Sequence, residues 1–303
     1  MAGVITTGNN PKALWPGVRA WWGLKYNEFP QEWSQLFETK DSEKAYEEDV
    51  ETTGFGLAPV KAQGGAVTYD SSNQGVTKRY THVVYGLGFI VTQEEIEDNL
   101  YKEKAFNRTE ALAFSIRQSE EIVCANIFNR AFNTSYTGGD AKAMIVSDHP
   151  TLDGTQSNVL ATAADLSEAS IEDLCIQIGL AKNSRGMRIK LMPKALAIAP
   201  NEMFNATRIL KSSLQSGTAN NDVNAIRAMG MFPDGAVVNH YFTDTDAWFI
   251  KTNAPNGLLR FNRRATSFAK DNDFDTSNEK AKATLRFSVG WTDWRGVYGT
   301  PGA

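Results

Sequence analysis

The chain has 303 residues, of which 42% are hydrophobic and 22% charged, and its formal net charge is −4. This composition is typical of a soluble globular protein, and the length allows one large domain or two smaller ones. The net acidity gives the molecule as a whole no basic footprint for nucleic acid or anionic membrane, although a local basic patch is still open. No run of about 18 apolar residues occurs, which excludes a membrane-spanning helix.

The N-terminus and the cysteines indicate the compartment. Residues Met1 to Gly8 lack a cationic start and an apolar run, so we expect no secretory signal and synthesis in a cytoplasm. Cys124 and Cys175 each lie in an apolar helical pattern. We therefore expect two buried thiols in a reduced compartment and no disulfide.

The first fifty residues are rich in aromatic side chains. They hold four of the seven tryptophans, namely Trp15, Trp21, Trp22 and Trp33. Prolines and glycines interrupt this segment, so the pattern predicts no continuous helix. The segment is either an arm that packs against another molecule or an ordinary subdomain of short helices, and the sequence leaves both open.

Residues 51–91 are β-prone and rich in glycine. Ala66–Tyr69 and Val76–His82 flank the turn-forming residues Asp70–Gly75, which predicts a β-hairpin with a polar tip and an exposed His82. Such a ribbon has too few apolar residues to build a core of its own, so it must lean on a neighbour. The apolar alternation over 83–91 then indicates that the second limb enters a sheet.

A helix start follows the ribbon. Thr92 and Glu95 form a capping-box pattern, and apolar residues keep helical spacing to about Phe132. The predicted helix is either continuous or broken near residues 106–108. About forty residues would span roughly 60 Å, which is long for a globular protein and typical of a structural spine.

The remaining elements are mixed. The patterns predict a helix capped by Ser167 or Ser170, a buried strand at 195–199, a helix from Met203 to about Leu214, a hairpin formed by 237–242 and 247–250, and a half-buried strand ending at Trp291. No βαβ period and no internal repeat occur. The fold class is therefore predicted to be α+β.

Residues suited to catalysis or metal binding are scarce. Asp148, His149 and Asp153 are the most site-like group and raise the hypothesis of a metal-assisted hydrolase, but such residues also form turns, and zinc-ligand spacing is absent. The acidic run at 271–275 lacks the glycine and glutamate of a calcium loop. No phosphate-binding or nucleophile-elbow motif occurs. We therefore expect a protein that is not an enzyme and that binds no cofactor or metal.

One basic group stands out late in the chain. Arg260, Arg263 and Arg264 surround Phe261, a pattern compatible with phosphate binding. The aspartates at 271–275 would balance these charges, which favours ion pairs between loops or between subunits.

The order of an aromatic arm, a projecting ribbon, a spine-length helix and a mixed domain resembles the major capsid protein of tailed phages, which has the Hong Kong 97 fold. Specific strings carry a further resemblance to the head subunits often grouped as Mu-like. These strings are GFGLAPV at 54–60, IEDNL at 96–100, GTANNDVNA at 217–225, TDTDAWF at 243–249, APNGL at 254–258 and GWTDWRGVYG at 290–299.

The resemblance implies a division of the chain into regions. These are an N-terminal arm at 1–50, an extended loop at 51–91, a peripheral domain with the spine helix at 92–160, an axial domain at 161–255, and a return to the peripheral domain at 256–303.

The resemblance also implies a function and partners. The family builds icosahedral heads from pentamers and hexamers around double-stranded DNA, without sequence-specific binding or a membrane. A virion location, a portal, a scaffolding protein and a decoration protein follow as expectations. The long N-terminal scaffolding segment of many relatives is missing, which implies a separate scaffolding protein or a segment removed before this numbering begins.

Ten residues are candidates for contacts between subunits: Trp15, Trp21, Trp22, Trp33, Lys61, Asp70, Lys78, Arg79, Arg263 and Arg264. Two alternatives to the phage head stay open. One is an encapsulin-like compartment of the same fold that holds a cargo enzyme. The other is the hydrolase built on Asp148, His149 and Asp153.

Overall fold

The computed structural model describes residues 15–28, 30–92, 94–95, 101–215, 222–273 and 278–303. The helices are α1 Trp15–Glu28, α2 Tyr101–Asn129, α3 Glu168–Gly179, α4 Met203–Lys211 and α5 Ala225–Ala228. The strands are β1 Glu38–Asp41, β2 Tyr46–Thr52, β3 Gln74–Thr81, β4 Val83–Val91, β5 His149–Thr151, β6 Gly154–Gln156, β7 Pro193–Ile198, β8 Ala236–Val238, β9 Trp248–Thr252, β10 Leu258–Asn272, β11 Glu279–Trp291 and β12 Val297–Thr300.

The first sheet has the strand order β1-β10-β11-β4. Strands β10 and β11 form a long antiparallel hairpin, β1 pairs parallel to β10, and β4 pairs antiparallel to β11. Alternate residues of β11 are buried from Ala281 to Phe287, and this face packs on α2. The half-buried strand predicted at the end of the chain is thus confirmed, and so is the α+β class.

The second sheet has the order β12-β9-β7-β8. Its central strand β7 is the predicted buried strand, and Ala195 to Ile198 are inaccessible to solvent. The hairpin predicted over 237–250 is wrong, because β8 and β9 pair with opposite edges of β7. The connection between them crosses the end of β7 instead of turning back. Strand β12 also belongs to this sheet.

The spine helix is confirmed over its described part. Helix α2 runs without a break through residues 106–108, and its 29 residues span about 44 Å. It ends at Asn129, three residues before the predicted end. The Thr92 hydroxyl accepts a hydrogen bond from the Glu95 backbone N–H at 3.3 Å, as expected of a helix start. Residues 96–100 lie outside the described residues.

The prediction of a discontinuous aromatic segment is wrong, because α1 is one helix of 14 residues. Pro16 lies in its first turn, where the missing N–H would have no helical partner anyway. Gly23 lies in the helix interior, where a glycine costs only about 1 kcal/mol. Helix α1 packs along α2 of the same chain.

The ribbon exists, but its first limb differs from the prediction. Strand β2 pairs antiparallel with β3, and residues 53–73 form an irregular connection between them. Ala66–Tyr69 is therefore not a strand, and Asp70–Gly75 is not the hairpin turn. The sequence YEEDVET of β2 hides the true limb, because both of its faces are polar and its pairing with β3 relies on charge pairs such as Glu48–Arg79 at 2.7 Å.

The shorter elements agree in part with the predictions. Helix α3 begins with a capping box between Ser167 and Ser170, as predicted. Helix α4 ends at Lys211, before the predicted Leu214. Cys124 is buried, Cys175 is half-buried, and both are free thiols.

Gly290 allows the ribbon to pack on the first sheet. A Cβ atom at this position would lie 2.9 Å from the buried ring of Tyr80. We expect Gly290→Ala to lower the free energy of unfolding by about 1–3 kcal/mol, because the ring must move. Denaturant unfolding measures this, with Gly23→Ala as the control.

A Cβ at Gly23 meets no atom within 4 Å, so the control variant should be as stable as the wild type or more stable. Equal stability of the two variants would contradict the packing argument.

Candidate assembly site

Residues 53–73, here called the projecting loop, carry exposed apolar side chains. Val60 and Tyr69 are 101% and 93% exposed. The exposed apolar residues of the loop are Phe55, Leu57, Val60, Val67 and Tyr69. A cluster of exposed apolar side chains is a mark of an interaction surface.

The two ends of the projecting loop are held together at a neck. The Thr53 hydroxyl accepts a hydrogen bond from the Asn73 backbone N–H at 3.0 Å, and the Gly56 N–H donates to the Asp70 carboxylate at 2.7 Å. Arg185 then binds the neck, because its guanidinium lies 2.9 Å from the Asp70 carboxylate. Backbone N–H donors from Gly56 and Ser71 lower the pKa of Asp70, and Arg185 adds to this effect. The lobe between Gly56 and Asp70 extends beyond this neck.

The base of the ribbon is anchored on the first sheet. The Lys78 ammonium donates to the Thr137 carbonyl at 2.7 Å and lies 5.2 Å from the centre of the Trp291 ring, and burial lowers its pKa. The Tyr80 hydroxyl lies 2.7 Å from that of Thr292. Arg79 is exposed and pairs with Glu48 of the facing strand.

His82 is the one residue between β3 and β4, and the prediction that it is exposed is wrong. Its ring nitrogens lie 2.9 Å from the Ser42 hydroxyl and 3.0 Å from the Ser288 hydroxyl. Burial lowers its pKa, with a further contribution from Arg286. The ribbon thus joins the first sheet through a buried, hydrogen-bonded residue.

The aromatic segment contributes to the chain's own core. Trp22 is buried and stacks on Tyr26 and Phe268, with ring centres 5.0 and 5.6 Å apart. Trp33 is also buried, and Lys25 lies 5.1 Å from the Trp21 ring. The side chain of Trp15 lies outside the described residues. Two of the four tryptophans nominated as subunit contacts are therefore covered within one subunit.

A buried charge cluster holds α1, α2 and β10 together, and the sequence analysis missed it. The Glu120 carboxylate lies 2.7 Å from the Arg117 guanidinium and accepts a hydrogen bond from the Tyr26 hydroxyl at 3.0 Å. It also pairs with Arg260, whose guanidinium lies over the Trp33 ring. Arginine and glutamate three residues apart within the apolar stripe of α2 were the available signal.

This cluster corrects the prediction for the basic group near Phe261. Arg260 lies on an inner strand face and pairs with α2, not with the aspartates at 271–275. Arg263 donates to the Lys44 carbonyl at 3.0 Å, and Arg264 donates to the Thr284 hydroxyl at 3.1 Å. Asp273 pairs with Lys280 at the far end of the β10–β11 hairpin, and residues 274–277 lie outside the described residues.

Glu121 fastens the segment after α1 to α2. Its two carboxylate oxygens accept hydrogen bonds from the backbone N–H groups of Glu32 and Trp33, each at 3.1 Å. Burial raises the pKa of Glu121 to about 7, although the two N–H donors oppose this effect. The unfolded chain has a pKa near 4.3 at this group, so stability from this group is present below about pH 4 and is lost as the pH rises through about 7.

We therefore expect the wild type to lose on the order of 3 kcal/mol of stability from Glu121 between about pH 4 and pH 8. Glu121→Gln should flatten this part of the profile, because the amide does not titrate. Denaturant unfolding across this range measures the difference. Glu110→Gln, on the same helix and partly exposed, should keep the wild-type profile. Identical profiles for all three proteins would refute the argument.

The three residues of the hydrolase hypothesis do not converge. His149 is buried, lies 2.6 Å from Asp140 and stacks on Trp294. Asp148 pairs with Lys142, and Asp153 pairs with Lys182 at 3.3 Å. Within the described ranges, no three His, Cys, Asp or Glu side chains are grouped to hold a metal ion. None of the described helices is long and apolar enough to cross a membrane.

The two sheets, the spine helix and the ribbon form the Hong Kong 97 fold of capsid subunits. Among solved structures, the virus-like particle from Pyrococcus furiosus matches with a TM-score of 0.54 at 12% identity, covering 94% of this chain and 98% of that one. The capsid of an empty GTA particle matches at 0.53 and 10% identity, over 91% of both chains. Microbacterium phage Oxtober96 matches at 0.52 and 9% identity, over 89% and 90%.

The family model described as phage capsid protein matches residues 75–300, and the chain belongs to this family. No curated protein matches the sequence closely enough to add a relative. The chain is therefore a structural major capsid protein, located in the virion and assembled there with other capsid subunits. Its place in the Mu-like group stays a prediction.

Proposed function

We propose that the protein forms pentamers and hexamers and that these close an icosahedral phage head around double-stranded DNA. The projecting loop carries this proposal. Its lobe exposes several apolar side chains beyond a neck that is closed by hydrogen bonds. Such a surface is stabilised when another subunit covers it, and repeated head-to-tail contacts that close by rotation give rings.

The proposed contacts between subunits follow from what each side chain does within one subunit. Lys61 lies on the exposed lobe, and Arg79 lies on an exposed part of the ribbon, so both are available to a neighbour. Asp70 and Lys78 act by fixing the neck and the base. Trp22 and Trp33 would contact a neighbour only if α1 moved away from α2, whereas Trp15 and Trp21 stay proposed contacts, and so does Arg263.

The predicted regions are proposed with one adjustment. The arm at 1–50 includes β1, which is part of the first sheet, and the return segment at 256–303 includes β12, which is part of the second. A scaffolding protein, a portal and a decoration protein are proposed partners. Synthesis in the cytoplasm of a host bacterium is proposed as well.

An encapsulin-like compartment is the second candidate. The similarity in fold to the virus-like particle from Pyrococcus furiosus, over nearly the whole of both chains, favours it. The family match over 75–300 favours the phage head. The content of the particle separates the two functions.

The test is to express the chain with its neighbouring genes and to examine the product by sedimentation and electron microscopy. We expect rings and closed shells that protect double-stranded DNA from nuclease. Shells filled with a cargo protein and no DNA would favour the compartment. A stable monomer at high concentration, with no particles even when a scaffolding protein is present, would overturn both.

A further inference from the structure

The outer face of the first sheet is strongly basic although the chain is acidic overall. Even-numbered residues of β11 point away from α2, and the exposed or half-buried ones include Lys280, Lys282 and Arg286. The pairing register places Arg264 of β10 on the same face, opposite Arg286. Asp271, opposite Lys280, is the one acidic residue that the register of β10 and β11 places on this part of the face.

The arrangement of these cations is unfavourable in an isolated subunit. Arg264 and Arg286 face each other directly across an antiparallel pair, where Cβ atoms are about 5 Å apart and like charges destabilise the pair. Lys280 is compensated by Asp273. Arg264, Lys282 and Arg286 take part in no ion pair with any side chain that the structure describes.

The rest of this face is flat and uncharged. Strand β4 contributes Val84, Gly86, Gly88 and Ile90, which pair with the basic residues of β11. The two glycines lower the surface beside Lys282 and Thr284, so a large partner can approach the cations closely. The ribbon covers the other end of the face, where Tyr80 packs on Gly290.

From this juxtaposition we infer that the basic outer face of the first sheet binds the phosphate backbone of the enclosed DNA and therefore faces the inside of the shell. The inference rests on the proposed function and names the surface that meets the DNA. Phosphate contacts are independent of sequence, and each adds about 0.9 to the salt dependence of the affinity. For Arg264 this use replaces the subunit contact predicted from the sequence.

Few contacts per subunit suit this role. Three uncompensated cations give weak, salt-sensitive binding in one subunit, and many copies around one DNA molecule add up to a large total. The net charge of −4 keeps the remainder of the subunit from gripping the DNA. The DNA can therefore move along the wall while it enters and leaves.

The first test uses the unassembled subunit and a fluorescent 30-base-pair duplex of random sequence. We expect the double variant Arg264→Gln, Lys282→Gln to bind at least 10-fold more weakly than the wild type at low salt, with a slope of log affinity against log salt that is smaller by about 2. The control is Lys194→Gln, Lys211→Gln, which makes the same charge change at exposed positions near the second sheet. Equal losses in both variants would overturn the inference.

The second test uses wild-type particles and so does not depend on the folding of a variant. We expect Lys282 to react with an amine-acylating reagent in free subunits and in emptied shells, and to be protected at least fivefold in DNA-filled shells, whereas Lys194 shows no difference between filled and emptied shells. Protection in emptied shells as well would mean that an acidic protein or a neighbouring subunit covers the face, and the inference would fail.

Failure of this inference is distinguishable from failure of the proposed function. DNA-filled shells in which Lys282 stays reactive would leave the proposed function intact and refute the basic face as the DNA contact. If no shells form at all, the duplex-binding measurement on the free subunit still decides whether this face binds phosphate.

Discussion

Replacing residues 57–69 by Gly-Gly-Ser is expected to abolish shell formation while leaving the subunit folded. Gly56 and Asp70 already lie within hydrogen-bonding distance, so three residues close the gap without strain. Every removed residue is exposed, and surface changes of this kind usually alter stability by no more than about 0.5 kcal/mol. Thermal unfolding measures the fold, and electron microscopy counts the shells.

The control for this deletion keeps the lobe and changes its polar residues only. Gln63→Ser together with Thr68→Ser should assemble as the wild type does, because both side chains are exposed and neither is apolar. Normal shell yields from the shortened chain would show that the lobe is dispensable. A shortened chain that fails to fold would contradict the structural part of the argument.

Glu120→Ala is expected to lower the free energy of unfolding by about 3–5 kcal/mol. Its carboxylate neutralises Arg117 and Arg260, and removal of one partner of a buried ion pair leaves uncompensated buried charge. The Tyr26 hydroxyl loses its acceptor at the same time. Because the cluster joins α1, α2 and β10, loss of stability should be cooperative. Urea unfolding of the unassembled subunit measures it.

The matched control lies on the same helix. Glu110 pairs with Lys25 at 3.2 Å in a partly exposed position, and such pairs contribute about 0–1 kcal/mol. Glu110→Ala should therefore change stability little. A loss below about 1 kcal/mol for Glu120→Ala would show that water reaches the cluster and that the two arginines are solvated.

Sequence patterns predicted the elements that bury one regular face. Strands β7 and β11 and helix α3 are of this kind, because a period of two or of 3.6 in apolar residues is read directly. Strand β2 was missed because it buries neither face and pairs through charges. Strand β10 was missed because register shifts between Asn262 and Ser267 interrupt its alternation.

The candidate site was predicted in outline only. Exposed apolar and turn-forming residues indicated a projecting loop without its own core, and the structure has such a loop. Its closure by Arg185, which is 115 residues from Asp70, depends on how the two sheets are placed and leaves no local pattern. The same holds for Arg260, whose partner on α2 lies 140 residues away.

His82 has a consequence for how one sequence can fit a closed surface. A shell of both pentamers and hexamers, as proposed, asks identical chains to meet at different local curvature. The ribbon and the first sheet adjoin at this single residue, whose two backbone dihedrals set the angle between them. Quasi-equivalent positions can thus differ at one joint while the hydrogen-bond ladders on either side stay the same.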